Sequence, residues 1–271
     1  MLRIFRRFKV VKKMNTHTLS NILTIKNDRQ YILFDIIGRM KVLLEFFKRN
    51  PKYKNLVPFL KTYFLITKSV AERQVEYKVY FDHPDKLQQL DAYFANLYFR
   101  PLKAFLLHGK ILTPWRCYFQ YCQRSDGIPF VQMLLGINAH INSDLLTSVT
   151  KLRYNERHDF LRINKILSEE IPDVMKFLVR VDHDLLGLGA LIFREFVNRE
   201  FQNVIVNWRE IVWKNSKKLS IVKYKQIVKQ VHYQTESTGE EIIEVFEDLT
   251  HYRHLTKLVS KMNGLGVKLK L

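Results

Sequence analysis

The chain is poor in cysteine, in acid and in unbroken apolar sequence, and each shortage removes a class of protein. Its 271 residues include two cysteines. Cys117 and Cys122 stand five apart in a stretch of helical periodicity, a spacing that builds neither a disulfide framework nor a zinc ribbon. A reducing, cytoplasmic setting is therefore expected. No apolar run reaches the roughly 18 residues of a membrane-crossing helix, because Lys, Arg or Asp interrupts every candidate. A secretory leader is not expected either, since Arg and Lys occupy the start, where an apolar segment would lie. Strand signals, Gly/Pro/Ser linkers and internal repeats are equally scarce.

The 26 acidic residues are outnumbered by 45 Lys and Arg, a formal charge of +19. The excess gathers at the ends. Residues 1–27 hold seven basic side chains and no acid, and residues 251–271 hold five and no acid, which accounts for 12 of the 19. Within residues 1–14, Ile4, Phe5, Phe8 and Val11 share a helical face opposite Arg3, Arg6, Arg7, Lys9, Lys12 and Lys13. Such a basic amphipathic helix suits an anionic membrane surface, making the protein peripheral there, or packs on the body. Its large apolar side chains exceed what a non-specific phosphate-binding arm requires. Specific nucleic-acid binding is not expected, as no recognised motif accompanies the charge.

With 47% hydrophobic residues the chain can bury one sizeable core. Three- and four-residue apolar spacing predicts an all-α fold, a single domain of about nine or ten helices with little or no strand. Three regions are expected: a basic amphipathic arm over 1–27, a helical domain over 28–250 and a basic tail over 251–271. Pro101 is expected to kink its helix, Pro172 to mark a kink or junction, and Gly109 to end a helix. Ser237-Thr-Gly-Glu240 matches a capping box and predicts a helix start. Asp82, His83 and Asp85, like Asp182, His183 and Asp184, fit helix starts better than ligand clusters. His251 and His254 lack an adjacent acid and read as surface, and Gly187 and Gly189 do not complete a phosphate loop.

The stretch around which the rest is organised is Gly136 to Leu145, G-I-N-A-H-I-N-S-D-L. It interrupts a helical pattern that is apolar on more than one face. Asn138 and Asn142 are four apart, and so are His140 and Asp144, so each pair stacks one turn above the other. Buried unpaired, such groups cost about 1 to 3 kcal/mol each and must find partners. One reading is a hydrogen-bond network that fixes helix packing. The other makes His140 and Asp144 an acid/base pair or ligands of a divalent metal.

Read with Asp91 to Phe99 (D-A-Y-F-A-N-L-Y-F), Trp115 and Asp159 to Leu167 (D-F-L-R-I-N-K-I-L), this stretch resembles a mainly bacterial family, a domain of unknown function marked by G-M-N-A-H-I-N-x-D-L. The resemblance runs from about Phe34 to Phe246. It places the family's polar positions at Asn96, Trp115, Asn138, His140, Asn142, Asp144, Asp159 and Asn164, with Arg199 a looser match. Ile137 stands where the family usually has Met, and Asn203 near where it tends to place a Trp. The family supplies no reaction.

These observations predict a buried polar pocket for a small molecule, lined by His140, Asp144, Asn138, Asn142, Asp159 and Asn164 in an aromatic shell. His140 would serve as general base or metal ligand, Asp144 as orienting carboxylate or co-ligand, and the Asn side chains as substrate contacts. Asp91 and Asp159 are the weaker further ligands. Asn96, Trp115 and Arg199 would support the pocket. A metal-assisted hydrolase or oxidase on an apolar or lipid-like substrate fits, as does a cofactor-free lyase or cyclase. The competing class is a non-enzymatic helical binding or scaffold protein, docked through its basic ends on membranes or acidic partners.

Overall fold

A computed structural model describes residues 15–24, 32–76, 79–111, 113–181 and 190–248. Among them the chain is helical throughout, with no strand. The order is α1 (Thr16–Ile22), α2 (Ile32–Arg49), a 3-10 turn (Pro51–Leu56), α3 (Val57–Glu76), α4 (Pro84–Leu106) and α5 (Thr113–Cys122). Helix α6 is continuous but built in three parts, Pro129–Asn138, a π-helical segment Ala139–Leu145, and Leu146–Lys151. Then follow α7 (Arg157–Val181), α8 (Ala190–Lys218) and α9 (Ile221–Asp248).

Helix α6 is the axis of the body. From residue 130 to 150 every side chain is buried except Thr147, which is half-buried. Helices α3, α4, α5, α7, α8 and α9 all pack against it. A helix apolar on several faces has no solvent side, so its neighbours must surround it. Gly136 permits a close approach to α3: a Cβ there would lie 2.3 Å from Phe59 Cγ.

Residues 15–24, expected as part of the basic arm, belong to the body. Leu19, Ile22 and Leu23 enter the core, and Arg39 on α2 donates to the backbone carbonyls of Asn21, Ile22 and Thr24. Neither Pro101 nor Pro172 ends its helix; α4 and α7 run on through them. Pro101 is buried between Phe99 and Leu102, so packing holds the turn that its missing N–H weakens. Helix α4 ends at Leu106, and His108, with φ 57°, takes the left-handed position just ahead of Gly109.

Ser237 to Glu240 is helix interior rather than a helix start. Helix α9 passes through it because tertiary contacts on both sides outweigh the local capping signal. Glu236 forks onto Arg116 of α5, with Nη2 to Oε2 at 2.6 Å, and Gly239 lies against Cys117, whose Sγ would be 2.9 Å from a Cβ. The expectations for residues 1–14, 182–189 and 251–271 fall outside the described residues.

Candidate functional site

The two predicted polar pairs both form, and both lie at the π-helical segment. A π segment carries more residues per turn than an α-helix and recurs at functional sites. Here Asn142 Nδ2 donates to Asn138 Oδ1 at 2.9 Å, and His140 Nδ1 lies 3.0 Å from Asp144 Oδ2. Trp115 of α5 donates its indole N–H to the same Asp144 oxygen at 3.1 Å. An indole nitrogen can only donate, so Oδ2 accepts from Trp115; with Asp144 ionised, that oxygen also accepts from His140, whose proton then sits on Nδ1. The lone pair then resides on Nε2, which is buried without a hydrogen-bond partner.

Aromatic rings hold the imidazole in place. Phe94 of α4 stacks on it at 3.6 Å between centroids and 11° between planes. Tyr63 meets it edge-on at 4.5 Å and Phe59 at 5.7 Å, both from α3. In these surroundings burial, aided by the positive field of Arg209, holds His140 well below the ordinary histidine range. Burial also pushes Asp144 well above the carboxylate range, against the pull of the Trp115 hydrogen bond. His140 is thus a neutral base at physiological pH.

His140 borders a cavity of about 80 Å³ among α2, α3, α4, α6, α7 and α8. Asp144 is not part of its wall, so Nε2 is the nitrogen left for an occupant. The polar wall also includes Asp91, Arg209 and Tyr63. Asp91 Oδ2 is buried and unpartnered, and burial pushes this carboxyl up to about 7, opposed by Arg209. Arg209 is drawn down to about 10 by burial, with Asp91 among the groups opposing that fall. The rest is aliphatic or aromatic, including Ile137, Ile163 and Ile205.

The other expected site residues support the cavity without lining it. Asn138 donates Nδ2 to the Thr235 carbonyl at 2.8 Å and so ties α6 to α9. Asn164 accepts from Arg209 Nε at 2.5 Å and donates to Glu210 at 3.1 Å, which fixes the arginine. Asp159 is taken up elsewhere: its carboxylate accepts the backbone N–H groups of Asp82 and His83, both at 2.8 Å, and fastens the loop before α4. Asn96 is half-buried on α4 and Arg199 exposed on α8; neither borders the cavity. Among the described residues no group of three or more His, Cys, Asp or Glu side chains is placed to hold a metal ion.

Sequence reasoning missed Arg209, Tyr63 and Phe59. The signal for Arg209 was present: it falls four residues after Ile205 and three before Val212, on the buried stripe of α8. Asp91 occupies the same kind of position, four residues after Leu87 and three before Phe94, though its residue type by itself suggests only a metal ligand.

Fold and site together define an all-helical protein, among its described residues, with a histidine paired to a carboxylate at the wall of a cavity. The chain belongs to a family of unknown function, DUF5995, which it matches over residues 33–245, a span that takes in every residue of the site. No curated protein and no solved structure matches it. Among the described residues, no helix is long and apolar enough to cross a membrane.

Proposed function

We propose that the cavity is a small-molecule site at which His140 acts as a general base, in an enzyme that moves protons on a small, mainly apolar substrate. The observation that carries this reading is the buried Nε2 of His140, which lacks a partner while its sister nitrogen is held by Asp144 and, through it, by Trp115. A merely structural histidine in a core is expected to satisfy both nitrogens. Orientation by a carboxylate and a neutral resting state are what a general base requires. Asp91, with its carboxyl near neutrality, supplies the complementary acid.

The chemistry that fits is an isomerisation or an elimination. His140 Nε2 takes a proton from carbon, and Asp91 gives one to the acceptor carbon or to a departing hydroxyl, which leaves as water. The proton on His140 then passes back to Asp91 by way of solvent, which restores both groups. The metal-assisted alternative has only His140 and Asp91 in the cavity wall as ligands, since Asp144 faces Trp115 and Asp159 is bound to backbone. A closed metal site takes about four.

The test is exchange in heavy water. The protein is incubated with a panel of short aldehydes, ketones and hydroxy acids, and deuterium incorporation at carbon is followed by NMR. Incorporation that disappears in a folded His140→Ala variant supports the reading. Nitrogen-15 spectra that place the His140 proton on Nε2 at pH 7, together with no exchange for any compound, would leave a packing network in its place.

A further inference from the structure

We propose that the occupant carries a carboxylate, bound by Arg209, and that the ligand is a small carboxylic acid or the acid end of a longer one. This deepens the reading of the cavity as a ligand site and rests on it. Arg209 is 5% exposed and borders the cavity. Its Nε donates to Asn164, its guanidinium lies 4.4 Å from the Phe160 ring centroid, and Asn164 is itself held by Glu210. Among the described residues no carboxylate lies within ion-pair distance of it, and Nε is its one nitrogen with a hydrogen-bond partner.

Native interiors pair their buried charges, because an isolated ion out of water is costly. Here an arginine is buried, immobilised from one side and left without a carboxylate in contact, the charges of Asp91 and Glu210 acting on it only from further off. Asp91 makes no such contact. It stands beyond ion-pair distance, with Oδ2 unpartnered, and near neutrality it is part protonated. The two terminal nitrogens of a guanidinium form a fork that fits a carboxylate in two parallel bonds. A carboxylate there would complete the arginine's pairing. Its apolar part would meet the aliphatic wall, and His140 Nε2 would lie in the same cavity.

Size narrows the class. At about 10 to 15 Å³ of cavity space for each water, 80 Å³ holds roughly five to eight water-sized groups. Acetate, propionate and isobutyrate fit whole, and longer acids would enter by their head alone.

The experiment measures binding of acetate, propionate and isobutyrate to the full chain by calorimetry and saturation-transfer NMR. The matching primary amides serve as neutral controls of the same shape. We expect the acids to bind at least tenfold more tightly than the amides. That preference should vanish in Arg209→Gln, persist in part in Arg209→Lys and shrink in Asn164→Ala, which keeps the charge but frees it. The two milder variants decide the matter if Arg209→Gln does not fold. Amides that bind as tightly as the acids, with both lost in His140→Ala, would overturn the carboxylate assignment and leave the ligand site standing. Acid binding that is unchanged in the Arg209 and Asn164 variants would also overturn it. Binding of neither class, with the His140 nitrogen shifts unmoved at saturating concentration, would overturn both.

Discussion

Gly136 of α6 and Phe59 of α3 approach so closely that a single methyl group cannot be placed between them; a Cβ on Gly136 would fall 2.3 Å from Cγ and 2.5 Å from Cδ2 of the ring. The ring is buried, packed edge-on against both Tyr98 and His140, and cannot swing into solvent. Gly136→Ala should therefore destabilise the protein by at least about 1 to 3 kcal/mol, the usual cost of overpacking a core. Urea denaturation measures this. A variant of undiminished stability would show that Phe59 has somewhere else to go.

Trp115 should govern the site through one proton. Trp115→Phe keeps most of the packing but removes the indole N–H, which leaves the buried Asp144 oxygen with one donor fewer, at about 1 to 3 kcal/mol. The Trp115 hydrogen bond holds the Asp144 carboxyl down, so its loss should raise that carboxyl further. Nitrogen-15 shifts of His140 should move in the variant, whereas a residue that only fills space would leave them in place.

Asp91 should reveal itself as a pH-dependent difference. Its carboxyl is raised from the ordinary range to about 7 on folding. Stability from its protonated form is therefore full below about pH 4, the unfolded value, and is lost as pH rises through 7. Asp91→Asn should match the parent near pH 4 and exceed it at pH 8, by at most about 4 kcal/mol at about 1.4 kcal/mol per unit. Denaturation midpoints of the two proteins at both pH values test the sign. A gap that is widest at pH 4 would contradict it.

Arg39 should hold α1 to the body. Its donation to three backbone carbonyls of the 21–24 segment cannot be replaced by a shorter side chain. Arg39→Met should open residues 15–24 to limited proteolysis while helices α2 to α7 resist digestion. Equal cleavage rates in both proteins would mean that Leu19, Ile22 and Leu23 suffice alone.

The helical class and the two polar pairs were readable because both depend on spacing along one helix. His140 and Asp144 are four apart, and no tertiary information is needed to stack them. What was not readable was convergence. Asp91, Arg209 and His140 come from three helices, and which buried polar residue meets which is decided by helix packing. Asp159 illustrates the reverse error: its burial is complete, but its partners are Arg162, one turn along its own helix, and two backbone N–H groups of a loop far away in sequence. The capping-box pattern at Ser237 to Glu240 failed for a related reason. It reports a local preference, and the Arg116 fork on Glu236 overrides it from outside.

The wide turns between Ala139 and Leu145 make the central helix a two-part shaft with a fixed phase offset. One residue corresponds to about 100° of rotation in a regular helix. A π turn takes up about one residue more than a regular turn, so deleting a single residue inside the segment would let it tighten into ordinary turns with both halves close to their present faces, Pro129–Asn138 on α3 and Leu146–Lys151 on α8. The extra residue thus serves the site rather than the fold: its removal between His140 and Asp144 would keep the helix seated and cost the pair its present register.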